Sequence, residues 1–538
     1  MKACDRATTE RFGVLSLELM RAASTAVARF ARDEFSQAQR VTVLCGRGNN
    51  GGDGLMTARL LAEAGLSVTT ILLGAPDGLE GDAAVAWAEL AASAHGPIHI
   101  VMEAAELLPL NAALAADLLI DAVVGTGFVP PLRGLALAAL EWARICTAPV
   151  LAIDLPSGWP ADSSQARVDR QVFAADAVVT FTAPKPAHVF GQLTRHWHQP
   201  VIVAPIGSPD EAIVSAQNLT WAGAAHALVE TPRAADANKG AFGHVLVVGG
   251  ALGKAGAPAM ASLAALRSGA GLVTAAVPAP ALAQVAGFAP ELMTQPLAAT
   301  AAGEIAADGI TQESLASLTK GKSVLAIGPG MGQGAGARAF LAQLLDATTI
   351  PAVLDADALN LLAADTGLIF KLTKMGKAGR TLVLTPHPGE MARLAGTTVP
   401  AIQANRLEAA RTFSQSNGVT LVLKGARTLI AHPDGSVAVN TSGNPAMAKG
   451  GSGDMLTGCI AGLLAQYAAE PERAVEAAVY LHGLAADLAA HRADEHTLLA
   501  TDTLRTFSRA FRFRPYGPNG YGWLQGHCMQ RPRARAQE

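Results

Sequence analysis

The feature of this sequence that most constrains its fold is a regular alternation of short apolar runs with longer stretches of helical periodicity. A first series comprises VTVLC (41–45), VTTILLG (68–74), DLLIDAVVG (117–125), PVLAIDLP (149–156), DAVVTF (176–181) and PVIVAPI (200–206). A second comprises HVLVVGG (244–250), GLVTAAVP (271–278), SVLAIGPG (323–330), PAVLDADAL (351–359), TLVLTPHPGE (381–390) and VTLVLKGA (419–426). Near-continuous apolar runs are typical of parallel strands buried on both faces, and the helical stretches supply the crossovers. The pattern therefore predicts an α/β protein with two successive doubly wound domains.

Between the two series lies a stretch with prolines, small polar residues and no strong strand pattern. We therefore predict a first domain over 1–210, a linker over 211–234 and a second domain over 235–505. The segment 506–538 is rich in arginine and contains PYGPNGYG. That composition is typical of a disordered basic tail.

Charge and cysteine content restrict the class of protein. The formal net charge of −3 over 538 residues gives no electrostatic reason for binding nucleic acid or an acidic membrane. Five scattered cysteines without a CxxC pair fit a reducing compartment and argue against disulfides or structural zinc. No signal peptide is recognisable, and no apolar run reaches the roughly 20 residues of a membrane span. We expect a cytoplasmic homo-oligomer acting on small molecules, without nucleic-acid or membrane partners.

The first chemical motif is GRGNNGGDG (46–54), which directly follows the first predicted strand. A glycine-rich turn between strand and helix exposes backbone N–H groups and lets a ligand approach closely. This is not a GxGxxG motif, since Asn49, Asn50 and Asp53 add amides and carboxylate oxygens that suit a cation or a hydroxyl. A tight turn with an aspartate N-cap is the structural alternative.

Two further strand ends in the first domain carry oxygen-bearing side chains, in DAVVGTG (121–127) and IDLPSG (153–158). Ligands of open α/β sheets bind outside the carboxyl ends of the strands. Asn50, Asp121 and Ser157 can therefore converge on one cation with oxygen ligands. Lys185 in TAPKPAH is either a further site residue or a surface lysine.

In order and spacing, GNNGGDG, DAVVGTG, DLPSG and FTAPKP resemble the N-terminal domain of the NAD(P)H-hydrate repair enzymes, the NAD(P)HX epimerase. The resemblance implies a Rossmann-like fold and interconversion of the R and S hydrates, with K⁺ held by Asn50, Asp121 and Ser157. It implies contact with the hydrated dinucleotide by Asn49, Asn50, Gly51, Gly52, Asp53, Gly125, Thr126, Gly127, Phe128, Val129, Pro130, Pro131 and Asp154. The two prolines depart from the family pattern, because they leave fewer backbone donors in their loop.

The strongest signal in the second domain is NPAMAKGGSGDMLTG (444–458), a glycine-rich loop that leads into an apolar helix. The N–H groups of Gly450 to Gly453 and the helix dipole form a seat for a phosphate. Asp454, in the first turn, is placed to take a proton from a substrate hydroxyl during phosphoryl transfer. The structural alternative is a flexible loop with an acidic cap.

Other strand ends of the second domain carry supporting groups. Lys424 ends the strand in VLKGART, and His387 lies between two prolines in LTPHPGEMARL. The segment GGALGKAG lacks the spacing and the Ser/Thr of a Walker A motif. A nucleotide here would be held without a P-loop.

The motifs HVLVVGG, GPGMG, LDADALN, TPHPGE, LKGA and GGSGDMLTG together resemble the ADP/ATP-dependent NAD(P)HX dehydratase, a ribokinase-like α/β enzyme. The resemblance implies that the C6 hydroxyl of the S hydrate is phosphorylated by ADP, or ATP, with Mg²⁺, and that phosphate then leaves. Asp454 would be the catalytic base. Contacts to the hydrate would come from Ala257, Gly330, His387 and Asp454, and contacts to the nucleotide from Lys424, Gly425, Ala426, Arg427, Thr428 and Gly453.

Two other functions compete with cofactor repair. One is a ribokinase-like kinase of a vitamin pathway fused to a Rossmann-like domain, since glycine loops with a basic aspartate also occur there. The NNGGDG and DLPSG motifs argue against it, because such a kinase has no use for them. The other is a non-enzymatic scaffold or lipoprotein-binding role of the first domain, against which the intact polar set of that domain argues.

Overall fold

A computed structural model describes residues 2–93, 96–168, 171–308 and 310–528. Its internal contacts divide the chain into two units, and each unit contains one sheet. The first unit lies within Met1–Ser215 and Pro515–Glu538, and the second is Ala216–Arg514. Among the described residues, no helix combines the length and the apolar character needed to cross a membrane.

The strands are short, as expected for buried parallel sheets. In chain order they are β1 (Arg40–Cys45), β2 (Ser67–Leu73), β3 (Ile98–Val101), β4 (Leu118–Ala122), β5 (Val150–Ile153), β6 (Ala177–Phe181), β7 (Val201–Ala204), β8 (Leu219–Trp221), β9 (His244–Val248), β10 (Leu272–Pro278), β11 (Met293–Leu297), β12 (Val324–Ile327), β13 (Ala352–Leu354), β14 (Leu382–Leu384), β15 (Thr420–Leu423), β16 (Leu429–Ala431), β17 (Val437–Val439) and β18 (Gly522–Gln525).

Helices connect most consecutive parallel strands. They are α1 (Lys2–Phe12), α2 (Ser16–Glu34), α3 (Asn49–Glu63), α4 (Gly81–Ser93), α5 (Gly134–Ala143), α6 (Pro186–Phe190), α7 (Gly256–Arg267), α8 (Leu282–Ala286), α9 (Gln312–Thr319), α10 (Ala335–Ala347), α11 (Asp357–Ala363), α12 (Thr366–Lys377), α13 (Pro388–Leu394), α14 (Val399–Ala404), α15 (Arg406–Asn417), α16 (Ser452–Gln466), α17 (Pro471–Ala490) and α18 (Thr503–Arg512).

The sheet of the first unit has the order β18-β7-β6-β5-β4-β1-β2-β3, and its strands are parallel except for β18. The strand order reverses between β1 and β4, which pair side by side. At such a reversal the two following loops diverge and leave a crevice at the carboxyl ends of the strands. The prediction of a doubly wound, Rossmann-like first domain is confirmed.

The sheet of the second unit has the order β11-β10-β9-β12-β13-β14-β15-β16-β17-β8. Strands β9, β10 and β12 to β15 pair in parallel with one another. β16 pairs antiparallel with both β15 and β17. Here the order reverses between β9 and β12. The prediction of a second α/β domain is confirmed, and the antiparallel end of its sheet is a feature that the apolar runs did not predict.

Two sequence-based predictions on the boundaries are wrong. The predicted linker 211–234 contains β8 and a 3₁₀ helix, Ala222–Val229, and both belong to the second unit. β8 is short, but it pairs with β17 and buries Trp221, whose indole N–H donates to Thr441 Oγ1 at 2.8 Å.

The predicted disordered tail 506–538 is wrong over its described part. Helix α18 continues to Arg512, and β18 pairs antiparallel with β7 in the first unit. Tyr521 directly precedes β18, Trp523 lies within it, and both bury their rings near Phe30. This burial stabilises the segment despite its polar composition. Residues 529–538 of the predicted tail lie outside the described residues.

Candidate active sites

The first unit has a cavity of about 540 Å³ at the carboxyl ends of its central strands. Eight of the predicted substrate contacts line it: Asn49, Asn50, Asp53, Gly125, Thr126, Gly127, Phe128 and Asp154. The other five, Gly51, Gly52, Val129, Pro130 and Pro131, are not among its lining residues. Lys185, Asp5 and Asp82 also line the cavity, so it contains several carboxylates and an ammonium.

The glycines of GNNGGDG serve packing more than ligand contact. Helix α3 begins at Asn49, so the sequence 49–54 is helical, and the turn is only Gly46 to Gly48. A Cβ on Gly51 would lie 1.8 Å from Gly46 O, and one on Gly54 would lie 2.5 Å from Cβ of Ala122. The glycines therefore allow α3 to pack closely on β1 and β4, and the close packing brings Asn49 and Asn50 to the cavity.

A buried ion pair joins the ends of β5 and β6. Lys185 Nζ donates to Asp154 Oδ1 at 2.8 Å, to Thr180 Oγ1 at 2.6 Å and to Phe181 O at 3.3 Å. These three bonds use all three ammonium protons. Burial alone would raise the pKa of Asp154, but the Lys185 charge together with the hydrogen bonds from Lys185 and Thr180 lowers that pKa. Asp154 is therefore ionised, and its second oxygen, Oδ2, accepts only a long bond of 3.3 Å from Thr126 N.

The backbone at Asp154 is held in an uncommon conformation. Its φ is +65°, in the left-handed region that L-residues other than glycine seldom adopt. His188 Nδ1 accepts from Lys185 N at 3.0 Å, so Nε2 donates to Asp154 O at 2.7 Å. Burial and the Lys185 charge lower the pKa of His188 to about 4, which keeps the ring neutral. Strain held by several hydrogen bonds is typical of functional sites.

A second carboxyl group of the same cavity has its pKa shifted in the opposite direction. Burial, followed by the charge of Asp154, raises the pKa of Asp53 well above its usual range. Asp53 and Asp154 both line the cavity. Two carboxyl groups whose surroundings separate their pKa values can divide the roles of proton donor and proton acceptor.

The three predicted cation ligands lie around one loop, Val123 to Gly125. Ser157 Oγ donates to Asp121 Oδ1 at 2.6 Å, and Ser157 N donates to Asp121 Oδ2 at 2.7 Å. Val124 N donates to Ser157 Oγ, and Asn50 packs against Gly125. Burial raises the pKa of Asp121 to about 6. The amide nitrogen Nδ2 of Asn50 is buried without a hydrogen-bond partner.

The catalytic candidate of the second unit lies at the start of α16. Gly451 precedes this helix with φ of +96°, and Asp454 lies in its first turn. First-turn N–H groups have no acceptor within their own helix, and at this helix start Ser452 N donates to Lys449 O at 3.4 Å. Burial and the neighbouring charge of Asp355 raise the pKa of Asp454 to about 7.

Lys424 lies beside this carboxyl group, in an ion pair with Asp355. Its Nζ donates to Asp355 Oδ1 at 2.8 Å, and Thr457 Oγ1 donates to Asp355 Oδ2 at 2.7 Å. Although burial would raise it, the Lys424 charge and the hydrogen bonds hold the pKa of Asp355 below its usual range. Lys424 Nζ also lies 3.8 Å from Glu390 Oε2.

The predicted hydrate contacts surround the same cluster. His387 caps α13, since its Nδ1 accepts from Gly389 N and its own N–H donates to Glu390 Oε2 at 2.8 Å. A Cβ on Gly330, whose φ is +60°, would lie 3.3 Å from Cβ of Ala257. Asp357, two residues after Asp355, accepts from Gly332 N at 2.9 Å. Ala257 and Gly330 therefore lie side by side. The hydrogen bond from Gly332 to Asp357 links the loop that contains Gly330 to the end of β13.

The predicted nucleotide loop, Lys424 to Thr428, is the β15–β16 turn, and Gly425 and Ala426 are exposed. Arg406 supports it from α15 by donating to Ala426 O at 2.6 Å and to Leu423 O at 3.3 Å. Arg427 adopts φ of +56° and donates to Thr441 O at 2.9 Å. Burial lowers the pKa of Arg427 to about 10.

Several residues of these clusters were not predicted from the sequence. They are Asp5, Thr180 and His188 in the first unit and Asp355, Glu390, Arg406 and Thr457 in the second. Asp355 lies in the quoted LDADALN motif, so an acidic residue directly after a buried strand was the available signal. Thr457 and Arg406 carried no signal, because only the packing of α16 and α15 brings them to the site. Among the described residues, no group of three or more His, Cys, Asp or Glu side chains could hold a metal ion.

Comparison with known proteins finds matches to both halves of the chain. The family described as NAD(P)H-hydrate dehydratase matches residues 245–509, and the family described as YjeF-related protein N-terminus matches residues 16–187. The bifunctional NAD(P)H-hydrate repair enzyme of Moorella thermoacetica is 40% identical, over 94% of this chain and 94% of that protein. Its counterpart from Escherichia coli is 35% identical, over 94% of this chain and 91% of that protein.

A solved structure of an ADP/ATP-dependent NAD(P)H-hydrate dehydratase from Bacillus subtilis, co-crystallised with ATP and Mg²⁺, is 32% identical, with a TM-score of 0.44. The match covers 53% of this chain and 96% of that one.

The folds define a two-domain α/β enzyme, with a Rossmann-like half that has a cavity lined by Asn50 and Asp154 and a half in which a glycine loop leads into the helix that carries Asp454. The chain belongs to the family of bifunctional NAD(P)H-hydrate repair enzymes. It combines an epimerase domain with a dehydratase domain, and a vitamin-pathway kinase is not favoured.

Proposed function

We propose that the first unit interconverts the R and S hydrates of NADH and NADPH in its 540 Å³ cavity, and that the second unit restores the S hydrate with ADP as phosphoryl donor. The five cysteines form no disulfide, which supports work in a reducing compartment such as the cytoplasm. One observation carries the proposal for the second unit: Asp454 lies in the first turn of α16, between the glycine loop and the Lys424–Asp355 pair.

In the second unit, Asp454 takes the proton of the C6 hydroxyl while the oxygen attacks the β-phosphorus of ADP. The bond between this phosphorus and the bridging oxygen breaks, and AMP leaves. The first-turn amides of α16 stabilise the charge that develops on the transferred phosphoryl group. The C6–O bond then breaks, phosphate departs, and loss of a proton from C5 restores the double bond. A base with a pKa near the working pH suits this step.

Mg²⁺ fits this site as a companion of the nucleotide. Both oxygens of Asp355 already accept hydrogen bonds, and Asp357 is engaged with Gly332 and Gln333. These carboxylates therefore have little capacity to form a metal site of their own. Mg²⁺ commonly keeps several waters and is held by one or two carboxylates together with phosphates. When bound, it would neutralise charge on the phosphates. ATP is the alternative donor.

In the first unit, the hydroxyl group must leave C6 and return on the other face of the ring. We infer that Asp53, protonated, donates the proton to the departing hydroxyl, so that water leaves with the C6–O electron pair. The ring nitrogen supplies electrons to the resulting cation, and the ionised Asp154 stabilises it. Water then adds to the opposite face, and its proton returns to the carboxylate pair. Lys185 contributes by keeping Asp154 ionised.

K⁺ fits the residues of the first unit. Asp121 is a fully buried carboxylate without a cationic partner in its hydrogen-bond set, and Asn50 packs against Gly125 on the loop that follows it. A buried carboxylate is stabilised by a cation, and carboxylate, amide and hydroxyl oxygens suit a hard cation. Asn50, Asp121 and Ser157 would hold K⁺ through oxygen atoms. When bound, K⁺ would balance the Asp121 charge and tie together the segments that line the cavity.

The test uses the purified full chain with mixed R and S hydrates, ADP or ATP, and buffers with and without K⁺. The appearance of reduced cofactor is followed by its absorbance. Asp121→Ala should stop consumption of the R form and leave repair of the S form at the wild-type rate. Equal loss of both activities would contradict the assignment of Asp121 to the epimerase site alone.

A further inference from the structure

The carboxylate of Asp355 lies between Lys424 and the first turns of α16. Lys424 Nζ is 2.8 Å from Oδ1, Thr457 Oγ1 is 2.7 Å from Oδ2, and the Asp355 side chain is 2% exposed. A Cβ on Gly453 would lie 3.8 Å from Asp355 Oδ2 and 3.5 Å from Lys424 Nζ. The backbone that carries Asp454 therefore lies directly on the ion pair.

The residue after Asp355, Ala356, has a backbone conformation that a non-glycine residue does not favour. Ala356 has φ of +50° and ψ of −117°, outside the regions that a non-glycine residue favours. Asp355 and Asp357, on either side of it, are both fixed by hydrogen bonds from other elements. Strain of this kind persists only where surrounding contacts determine the conformation, and it clusters at functional sites.

The charged groups that act on Asp454 follow two strands, and two further charged residues lie next to those groups. Asp355 and Asp357 follow β13, and Lys424 follows β15. Glu390 of α13 lies 3.8 Å from Lys424, and Lys254 lies 3.6 Å from Asp357. Asp355 thus has two electrostatic effects on Asp454. It adds a negative charge nearby, and it engages the closest cation.

We infer that Asp355 is a positioning residue for the dehydratase, which fixes the reacting end of α16 through Thr457 and makes the Asp454 carboxylate a stronger base. This inference rests on the proposed role of Asp454 as the base. Without Asp355, the full Lys424 charge would act on Asp454 and favour its ionised form. The carboxylate would then accept the hydroxyl proton less readily, because a weaker base is a less efficient general base.

The experiment is the pH profile of S-hydrate repair at saturating ADP, in the full chain. Asp355→Asn keeps the size of the side chain and one acceptor oxygen, replaces the other oxygen by an NH2 donor and removes the charge. We expect the acidic limb of the wild-type profile near pH 7. In Asp355→Asn the limb should move down by about one to two pH units, as expected when a nearby opposite charge becomes unopposed. The plateau rate should fall as well.

Two variants make the test specific. Thr457→Val removes the hydrogen bond to Asp355 but no charge, so the limb should stay in place even if the rate falls. Glu390→Gln removes the more distant partner of Lys424, so the limb should move down by less than in Asp355→Asn. If Asp355→Asn does not give folded protein, Glu390→Gln carries the test, and an unmoved limb there overturns the inference.

An unmoved limb in folded Asp355→Asn also overturns the inference, since a structural role alone would lower the rate without moving the limb. Failure of the underlying assignment looks different. If Asp454→Asn keeps more than about a tenth of wild-type turnover, Asp454 is not the base, by the usual cost of losing one. If Asp454→Asn is inactive and the Asp355→Asn limb is unmoved, only the role of Asp355 is refuted.

Discussion

The ammonium of Lys185 lies 2.8 Å from Oδ1 of Asp154, and the two side chains are only 6% and 10% exposed. Every proton of this ammonium is used within the fold, by Asp154, Thr180 and Phe181. Lys185 is therefore unsuited to donate a proton to substrate. We propose that it holds Asp154 ionised at the wall of the cavity while Asp53 serves as the proton donor.

Lys185→Met should cost both stability and epimerase activity. Removing one partner of a buried ion pair leaves an uncompensated charge, and such changes commonly destabilise by about 3–5 kcal/mol. Chemical denaturation of the full chain should show a weakened first unit, and R-hydrate consumption should fall strongly. Arg40→Met is the matched control, because the Arg40–Asp117 pair is exposed and its loss should change stability little. A Lys185→Met protein as stable as Arg40→Met would contradict the buried-pair account.

The stability of the first unit should depend on pH through His188. Its folded pKa is about 4, below the unfolded value of about 6.5, because the ring is buried beside Lys185. Between these values the unfolded chain binds more protons, so the free energy of unfolding is full above pH 6.5 and falls toward pH 4. The loss attributable to this group is about 3 kcal/mol. His188→Gln should flatten this part of the profile, whereas the exposed His196→Gln should not. Equal profiles for wild type and His188→Gln would refute the prediction.

Trp523→Ala should destabilise the first unit although the residue lies near the end of the chain. Trp523 is 6% exposed, packs near Phe30 and lies in β18, which pairs with β7. Removing a large aromatic side chain from a core commonly costs about 3–5 kcal/mol. The thermal transition of the first unit should shift down while S-hydrate repair at low temperature is retained. Trp197→Ala provides a less buried tryptophan for comparison. Loss of S-hydrate repair in folded Trp523→Ala would contradict the assignment of β18 to the first unit.

The sequence predicted most parallel strands of both sheets, because strands such as β5 and β12 are continuous apolar runs with helical stretches between them. It missed the edge strands β3, β8, β11 and β18 and the antiparallel strands β16 and β17, because strands of three to five residues have little periodicity of their own. Two of the edge strands, β8 and β18, pair with β17 and β7, which are distant in the chain.

The residues of the candidate sites likewise divide into those that the sequence predicted and those that it did not. Asp454, Asp154 and Asn50 were predictable because each lies in a glycine-rich or proline-rich strand end with an unusual density of polar groups. Asp355 could be recognised only as part of a motif. Its role depends on the ion pair with Lys424, which lies 69 residues later in the chain and whose Nζ is 2.8 Å from Asp355 Oδ1. The glycines of α3 were predicted as part of a ligand loop, and in the structure they also allow close packing against β1 and β4, which demands the same residue type as close approach to a ligand.

Variants of one residue from each half test whether the two halves repair the two hydrates at separate sites. Mixed R and S hydrates are incubated with ADP and wild type, Asp154→Asn or Asp454→Asn, while absorbance of reduced cofactor and nucleotide affinity by calorimetry are recorded. Wild type should convert the whole mixture. Asp154→Asn should convert the S fraction at the wild-type rate and the R fraction no faster than spontaneous epimerisation. Asp454→Asn should lose about 10²–10⁴-fold in turnover with nearly unchanged nucleotide affinity. Wild-type consumption of the R fraction by Asp154→Asn, or retained turnover in Asp454→Asn, would contradict the account.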